Sequence, residues 1–261
     1  MVPEVIGLGW DVGGWLGRKQ GAAAVAWSAE RGIWWLGQPT AFRLGGAEDS
    51  ALTPERLAAH VGLSLNGAER VIVGIDAPLG FSTAYVQLVA GGAGRLHRPS
   101  RDIDDRLAFR ESERFVHATF AKKPMSAPHN MLGANATVAI SHARAWRDLG
   151  YAMLPFDGTH ADRACIEVYP ALEKRGGLLD ERWTRLGLCI PQSAKPGSDA
   201  FDASICALIA LAFGTHGEAG LPRGCGPTDA YADVARREGW IYTRCPEVAP
   251  ANAIEPGEME T

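Results

Sequence analysis

Acidic side chains recur in this chain at the places where apolar runs stop. Asp11 closes the run VIGLGW and is followed by Val12, Gly13 and Gly14; Asp76 closes RVIVGI and is followed by Ala77 and Pro78. Glu167 lies inside ACIEVY, and Asp199 and Asp202 open the apolar segment DAFDASICALIALAF. Their i and i+3 spacing puts those last two acids on neighbouring faces of one helical turn. If the strands ending in Asp11 and Asp76 are adjacent and parallel, the two carboxylates stand side by side. Carboxylates that close repel and raise each other's pKa unless a cation offsets them. Magnesium and manganese take oxygen ligands, so such a cluster is what a protein would contribute to their binding.

Each acid also has a plainer reading. Asp11 before two glycines is a natural turn residue, and Asp76-Ala77-Pro78 can be a strand end followed by a turn. Asp199, next to Ser198, suits a helix N-terminus, where the dipole stabilises an anion. Glu167 can be a paired structural acid. Asp202 is the hardest to explain this way, because the helix it opens is otherwise apolar. The combination carries more than any one position.

Stepping outward, residues 4–11, 21–28 and 32–37 read as three strands with short connections, hence antiparallel neighbours. A helix is expected over 53–66, with Thr53 as its cap and Pro54 in its first turn. Residues 70–76 form a continuous apolar run, as a strand covered on both faces would. A polar, partly helical insertion occupies about 80–162, and 164–169 read as the next strand. Helices over 199–213 and 228–238 and a short strand over 240–243 follow. Helical crossovers place the later strands parallel and right-handed. The expected fold is α/β: one domain over 1–261 with a mixed five-stranded sheet, helices on both faces, the long insertion, and a flexible C-terminal tail from about 248.

The chain has 261 residues, a formal net charge of -4, 46% hydrophobic and 21% charged residues, which suits an ordinary globular protein and does not single out a nucleic-acid binder. Five scattered cysteines without a C-x-x-C pair argue against a disulfide framework and against a cysteine-built zinc site. The start lacks a signal-peptide pattern, and the best apolar stretch, 203–213, is too short to span a bilayer. These features lead to the expectation of a cytoplasmic protein with no membrane partner and no need of covalent staples. The glycine-rich stretch AGGAG at 90–94 lacks the Lys-Ser/Thr ending of a phosphate loop. Eight tryptophans, five of them near the N-terminus, read as core residues in preference to an interface. His97, His117, His129, His142 and His160 lack zinc spacing; His129, between Pro128 and Asn130, is the one candidate acid/base group.

The motifs GWDVG at 9–13, GIDAPLG at 74–80, IEVYP at 166–170, DAFDA at 199–203 and EGWI at 238–241 resemble those of the ribonuclease-H-like superfamily. More closely, they are similar to an uncharacterised bacterial and archaeal family of predicted nucleases with that fold. The late helix also resembles that of RuvC-type resolvases, in which a pair of acids at this spacing contributes to a metal site. The resemblance implies Asp11, Asp76 and one or both of Asp199 and Asp202 as metal ligands, with Glu167 a further candidate. Two departures stand out. Glu55 falls too early to match the acid that ribonuclease H carries on its first helix, and the 80–162 insertion has no counterpart in the simplest members.

The resulting expectation is a nuclease or phosphodiesterase dependent on Mg2+ or Mn2+ and acting on nucleic acid. Two ions about 4 Å apart would serve the attacking and leaving oxygens. Asp11 would bridge the ions, Asp76 and Asp202 would each bind one, and Asp199 would be a ligand or position the water. Substrate contacts are expected from Gly13 and Gly14, which let a phosphate approach the backbone. Arg106, Arg110 and Arg114, spaced by four on an expected helix, offer cations, or else form a solvated face paired with Asp105, Glu111 and Glu113. Two other functions are compatible with the same residues. One is nucleotide binding or hydrolysis in the manner of actin-like proteins and sugar kinases; the other is a non-catalytic binding module.

Overall fold

A computed structural model describes residues 2–15, 19–45, 51–92, 98–128, 132–175 and 190–245. His97, His129, Cys189, the expected C-terminal tail and the last two residues of the AGGAG stretch lie outside the described residues. The sheet is built around β1 (Val5–Asp11), which pairs antiparallel with β2 (Lys19–Ser28) and parallel with β5 (Arg70–Asp76). Beyond β2 lie β3 (Gly32–Trp35) and β4 (Thr40–Arg43), each antiparallel to it. Beyond β5 lies β7 (Arg163–Val168), parallel to it and flanked by the short β6 (Ala152–Met153). The far edge is β9 (Ile241–Arg244), parallel to β7, with β8 (Gly224–Cys225) antiparallel to β9.

The sheet is therefore mixed, as expected, but has nine strands among the described residues instead of five. β9 matches the short strand expected over 240–243, while the unanticipated β4, β6 and β8 are only two to four residues long. Segments that short show no usable alternation, so a pattern-based reading has little to hold. The expected helix over 53–66 is also shorter, α1 (Pro54–Ala59), because the chain turns at Gly62 with φ +75°.

One helix organises the first face of the sheet. α5 (Asp199–Gly214) buries every residue from Ala203 to Gly214 across β1, β2 and β5. It can lie that close because the strands present glycines to it. A Cβ at Gly9 would run into the carbonyl oxygen of Ala203, one at Gly7 into that of Ala207, one at Gly21 into that of Asp199, and one at Gly74 into that of Cys206. Apolar side chains of α5 and the strands, including Ile205, Leu208, Val25 and Ile166, complete this layer.

The opposite face is covered by α1 and by α4 (Gly133–Ala145). There Trp10 and Trp146 are fully buried, and both satisfy their indole N–H groups. Trp10 Nε1 donates to Gln20 Oε1 at 2.8 Å, and Trp146 Nε1 donates to the Leu52 carbonyl at 2.5 Å. Helices on both faces agree with the sequence reading; Trp10, Trp27, Trp146 and Trp240 are core residues, whereas Trp34 and Trp35 are partly exposed and Trp15 is exposed.

His142 of α4 sits in this layer beside Trp10, its Nδ1 accepting from Leu52 N at 3.2 Å. Burial, aided by the Arg56 charge, holds its pKa below the ordinary 6.5. The unfolded chain thus takes up a proton at His142 before the folded one does, so stability falls as pH drops through 6.5. Urea midpoints measured from pH ~8 to ~5 should decline toward acid, and His142→Gln should reduce that decline.

Two cysteines depart from expectation. Cys225 and Cys245 are joined in a disulfide, with Cα atoms 5.0 Å apart, at the β8–β9 edge. β9 is expected from the sequence, but its two-residue partner β8 is not, and their pairing brings together residues twenty positions apart. Cys165 and Cys206 are buried. Among the described residues, no helix is long and apolar enough to cross a membrane.

Candidate functional site

Strand register determines which acids meet. Asp11 and Asp76 are direct partners in the parallel β1–β5 pair, each the last residue of its strand. Their side chains leave the sheet on the α5 side, since Trp10 and Ile75 just before them point into the opposite layer. Asp202 stands on the first turn of α5, above the same strand ends, and all three acids are half-buried. They line one cavity of about 230 Å³. It opens beyond the carboxyl ends of parallel strands, the usual place for a site in an open α/β sheet.

The rest of the lining comes from the insertion and from the chain after β7. Pro124 and Met125 follow α3 (Glu111–Phe120), Leu132 and Asn135 mark the start of α4, and Tyr169 follows Val168. Asn135 Nδ2 donates to the Val12 carbonyl at 2.7 Å, which ties α4 to the segment just after Asp11. Burial and the neighbouring Asp76 charge push the Tyr169 phenol above its ordinary pKa of 10.0, so it remains protonated. None of these residues stood out in sequence except through the IEVYP motif that contains Tyr169. Pro124, Met125, Leu132 and Asn135 lie in a stretch with no periodicity to single them out.

Glu167 is placed differently from expectation. Its partner on β5 is Ile75, not Asp76, so its side chain rises from the other face of the sheet. Both its oxygens are engaged: Oε1 accepts from Arg110 Nη2, and Oε2 accepts from Leu79 N at 2.9 Å and Arg110 Nη1 at 2.8 Å. It borders the cavity as half of an ion pair and is not an open ligand.

Arg110 is likewise buried and paired. It is 1% exposed and held between two carboxylates, Glu113 and Glu167, with a further donation to the Glu238 carbonyl at 3.1 Å. Burial opposes its charge, but the two glutamates outweigh that and keep the guanidinium protonated. Glu113 also closes the first turn of α3, its Oε2 accepting from Arg110 N at 2.7 Å. Glu238 adds a second brace, accepting from Thr83 N at 2.7 Å and Glu111 N at 3.0 Å.

The three arginines do not share a helical face, because α3 begins only at Glu111. Arg106 is exposed in the preceding turn, Arg110 turns inward, and Arg114 pairs with Glu111 at 2.7 Å. Much of the surrounding charge is matched in the same way, Arg101 with Asp104 and Lys123 with Asp102. The paired-face reading describes this segment better than a free cationic stripe.

Two glycines and one acid also need reassignment. A Cβ at Gly13 would strike the Lys19 carbonyl oxygen, while Gly13 N donates to Gln20 Oε1 at 3.1 Å. Hairpin closure alone therefore demands glycine at 13. At Gly14 a Cβ would lie 3.1 Å from Ala134 Cβ, so close packing against α4 accounts for it. Asp199 does not line the cavity; it follows the Ser198 cap in the first turn of α5, and its carbonyl oxygen rests on Gly21.

The donors gathered in the cavity are carboxylate oxygens, the chemistry that suits magnesium or manganese. Among the described residues, no three His, Cys, Asp or Glu side chains are grouped to hold a metal ion by themselves. Magnesium seldom uses an all-protein cage; one or two carboxylates, waters and substrate phosphates normally complete its shell. The Asp11–Asp76 pair supplies that number of carboxylates, and Asp202 lines the same cavity.

Residues 9–225 match the model of a family described as Protein of unknown function (DUF429), and the chain belongs to that family. No curated protein and no solved structure matches it.

Proposed function

We propose that this DUF429 chain is a divalent-metal-dependent phosphodiesterase with a ribonuclease-H-like fold, acting on nucleic acid. The observation that carries the reading is the register pairing of Asp11 with Asp76 at the mouth of a cavity also lined by Asp202. Further support comes from the order of the longer strands, β3-β2-β1-β5-β7, with β2 antiparallel and β5 and β7 parallel to their inner neighbours. That order agrees with the motif resemblance, which pointed to the same fold independently.

Asp11, Asp76 and Asp202 would hold the ion. When bound, such an ion offsets negative charge on a phosphodiester and on the oxygens entering and leaving it. The chain's own contribution is placement. Glycines at 9 and 74 let α5 lie directly on β1 and β5, which sets Asp202 above the strand ends. The Arg110 clamp holds the α3 side of the cavity against β7. Tyr169 keeps its proton and can donate it in a hydrogen bond to a phosphate oxygen or to Asp76.

The test is hydrolysis of labelled DNA and RNA oligonucleotides with Mg2+ or Mn2+. Cleavage should depend on the ion and stop in excess chelator. Undiminished turnover in chelator would overturn the metal mechanism.

A further inference from the structure

We propose that the cavity admits one unpaired nucleotide at a time, so that the substrate is a single strand or an unpaired end and not the interior of a duplex. This rests on the phosphodiesterase reading and narrows its substrate class. The acids do not lie on an open surface. Asp11, Asp76 and Asp202 are half-buried, and walls from three different parts of the chain rise around them.

At about 230 Å³ the cavity is smaller than typical ligand sites, which run from ~300 to ~1,000 Å³. A space of that size takes at most part of one nucleotide and excludes a base pair with both its backbones. A duplex keeps its bases stacked inside, and enzymes that act in narrow pockets must take a nucleotide out of the stack or start from a single strand.

The chemistry of the walls points the same way. Opposite the acids stand Pro124, Met125, Leu132 and Tyr169, a proline, a thioether, an aliphatic and an aromatic side chain. An unpaired base offers an apolar face to surfaces of this kind, with no demand on its sequence. Asn135 adds one amide, whose nitrogen is already committed to Val12. Lys122 lies two residues before Pro124 and brings one cation near this wall, Lys123 between them being paired with Asp102. Met125 is 48% exposed, so its side chain is accessible to a base entering along this wall.

The test uses one oligonucleotide sequence in three forms: single-stranded, as a blunt duplex, and as a duplex with an unpaired tail. Each is incubated with Mn2+ and either the wild-type protein or Met125→Ala, whose urea midpoint is measured alongside. The single strand and the tail should be cut, and the blunt duplex at least about tenfold more slowly. Met125→Ala should raise KM for the single strand about tenfold through lost base contact, with kcat little changed. Equal cutting of blunt duplex and single strand overturns this inference while leaving the phosphodiesterase reading in place. An unchanged KM in a folded Met125→Ala protein also overturns it. Failure to cut any form with either ion removes the phosphodiesterase reading and the inference with it.

Discussion

Asp76→Asn should lower metal-dependent turnover on the order of 10³-fold while leaving the fold intact. The size follows from the several kcal/mol of charge stabilisation that a catalytic ion supplies, at about 1.4 kcal/mol per tenfold in rate. An amide keeps the shape of the carboxylate but not its charge, so the ion loses an anionic ligand. The fold should tolerate the change. Asp76 is the last residue of β5, half-buried, and its neighbour across the ladder is Asp11, about 4.8 Å away at strand spacing. Removing one of two like charges at that distance relieves repulsion. The thermal midpoint without metal should therefore stay level or rise, and Asp11→Asn should behave alike. A protein that loses activity only because it unfolds would show the opposite midpoint change.

Arg110→Met should destabilise the protein by about 3–5 kcal/mol, because it leaves two buried glutamates facing each other without their shared cation. For a chain of this size that corresponds to a fall in Tm on the order of 10 °C. Arg110→Lys should recover little of it. A single ammonium cannot reproduce the fork that reaches Glu113, Glu167 and the Glu238 carbonyl together. Adding Glu113→Gln and Glu167→Gln to Arg110→Met should restore much of the loss, since no buried charge then remains unmatched. Thermal melts of the four proteins check this. A free surface arginine, as the four-residue spacing suggested, would give a change near zero.

The contrast between Asp76 and Arg110 shows what the sequence can and cannot convey. Strand ends are legible because a long apolar run stops there, and Asp11 and Asp76 fell in line once two such runs were taken as parallel neighbours. Asp202 was legible for a related reason: a charge in the first turn of an otherwise buried helix calls for an explanation. The main strands, the long helix and the two covered faces came through on the same apolar patterning.

The sequence left Glu167 open between ligand and paired structural acid, because a single position of register decides which face a strand residue occupies, and register is set by pairing that no local pattern encodes. Pairing of Arg110 with Glu113 was open to the sequence reading, but its burial was not, because its other partners lie 57 and 128 positions away, on β7 and at Glu238. Gly13 invited a phosphate-binding reading, yet its small size is already required by the Lys19 carbonyl in the hairpin. The cavity walls at Met125, Leu132 and Asn135 depended on how the insertion folds back over the strand ends. The Cys225–Cys245 disulfide depended on two strands of two and four residues.

Calorimetric titration of Mn2+ into the wild-type protein and into Asp76→Asn bears most directly on the carboxylate cluster. Saturable binding is expected in the wild type and should weaken at least about tenfold in Asp76→Asn, the loss typical when a metal site is altered. Equal binding by both proteins, or no binding by the wild type, would contradict the assignment of Asp11, Asp76 and Asp202 as a metal site.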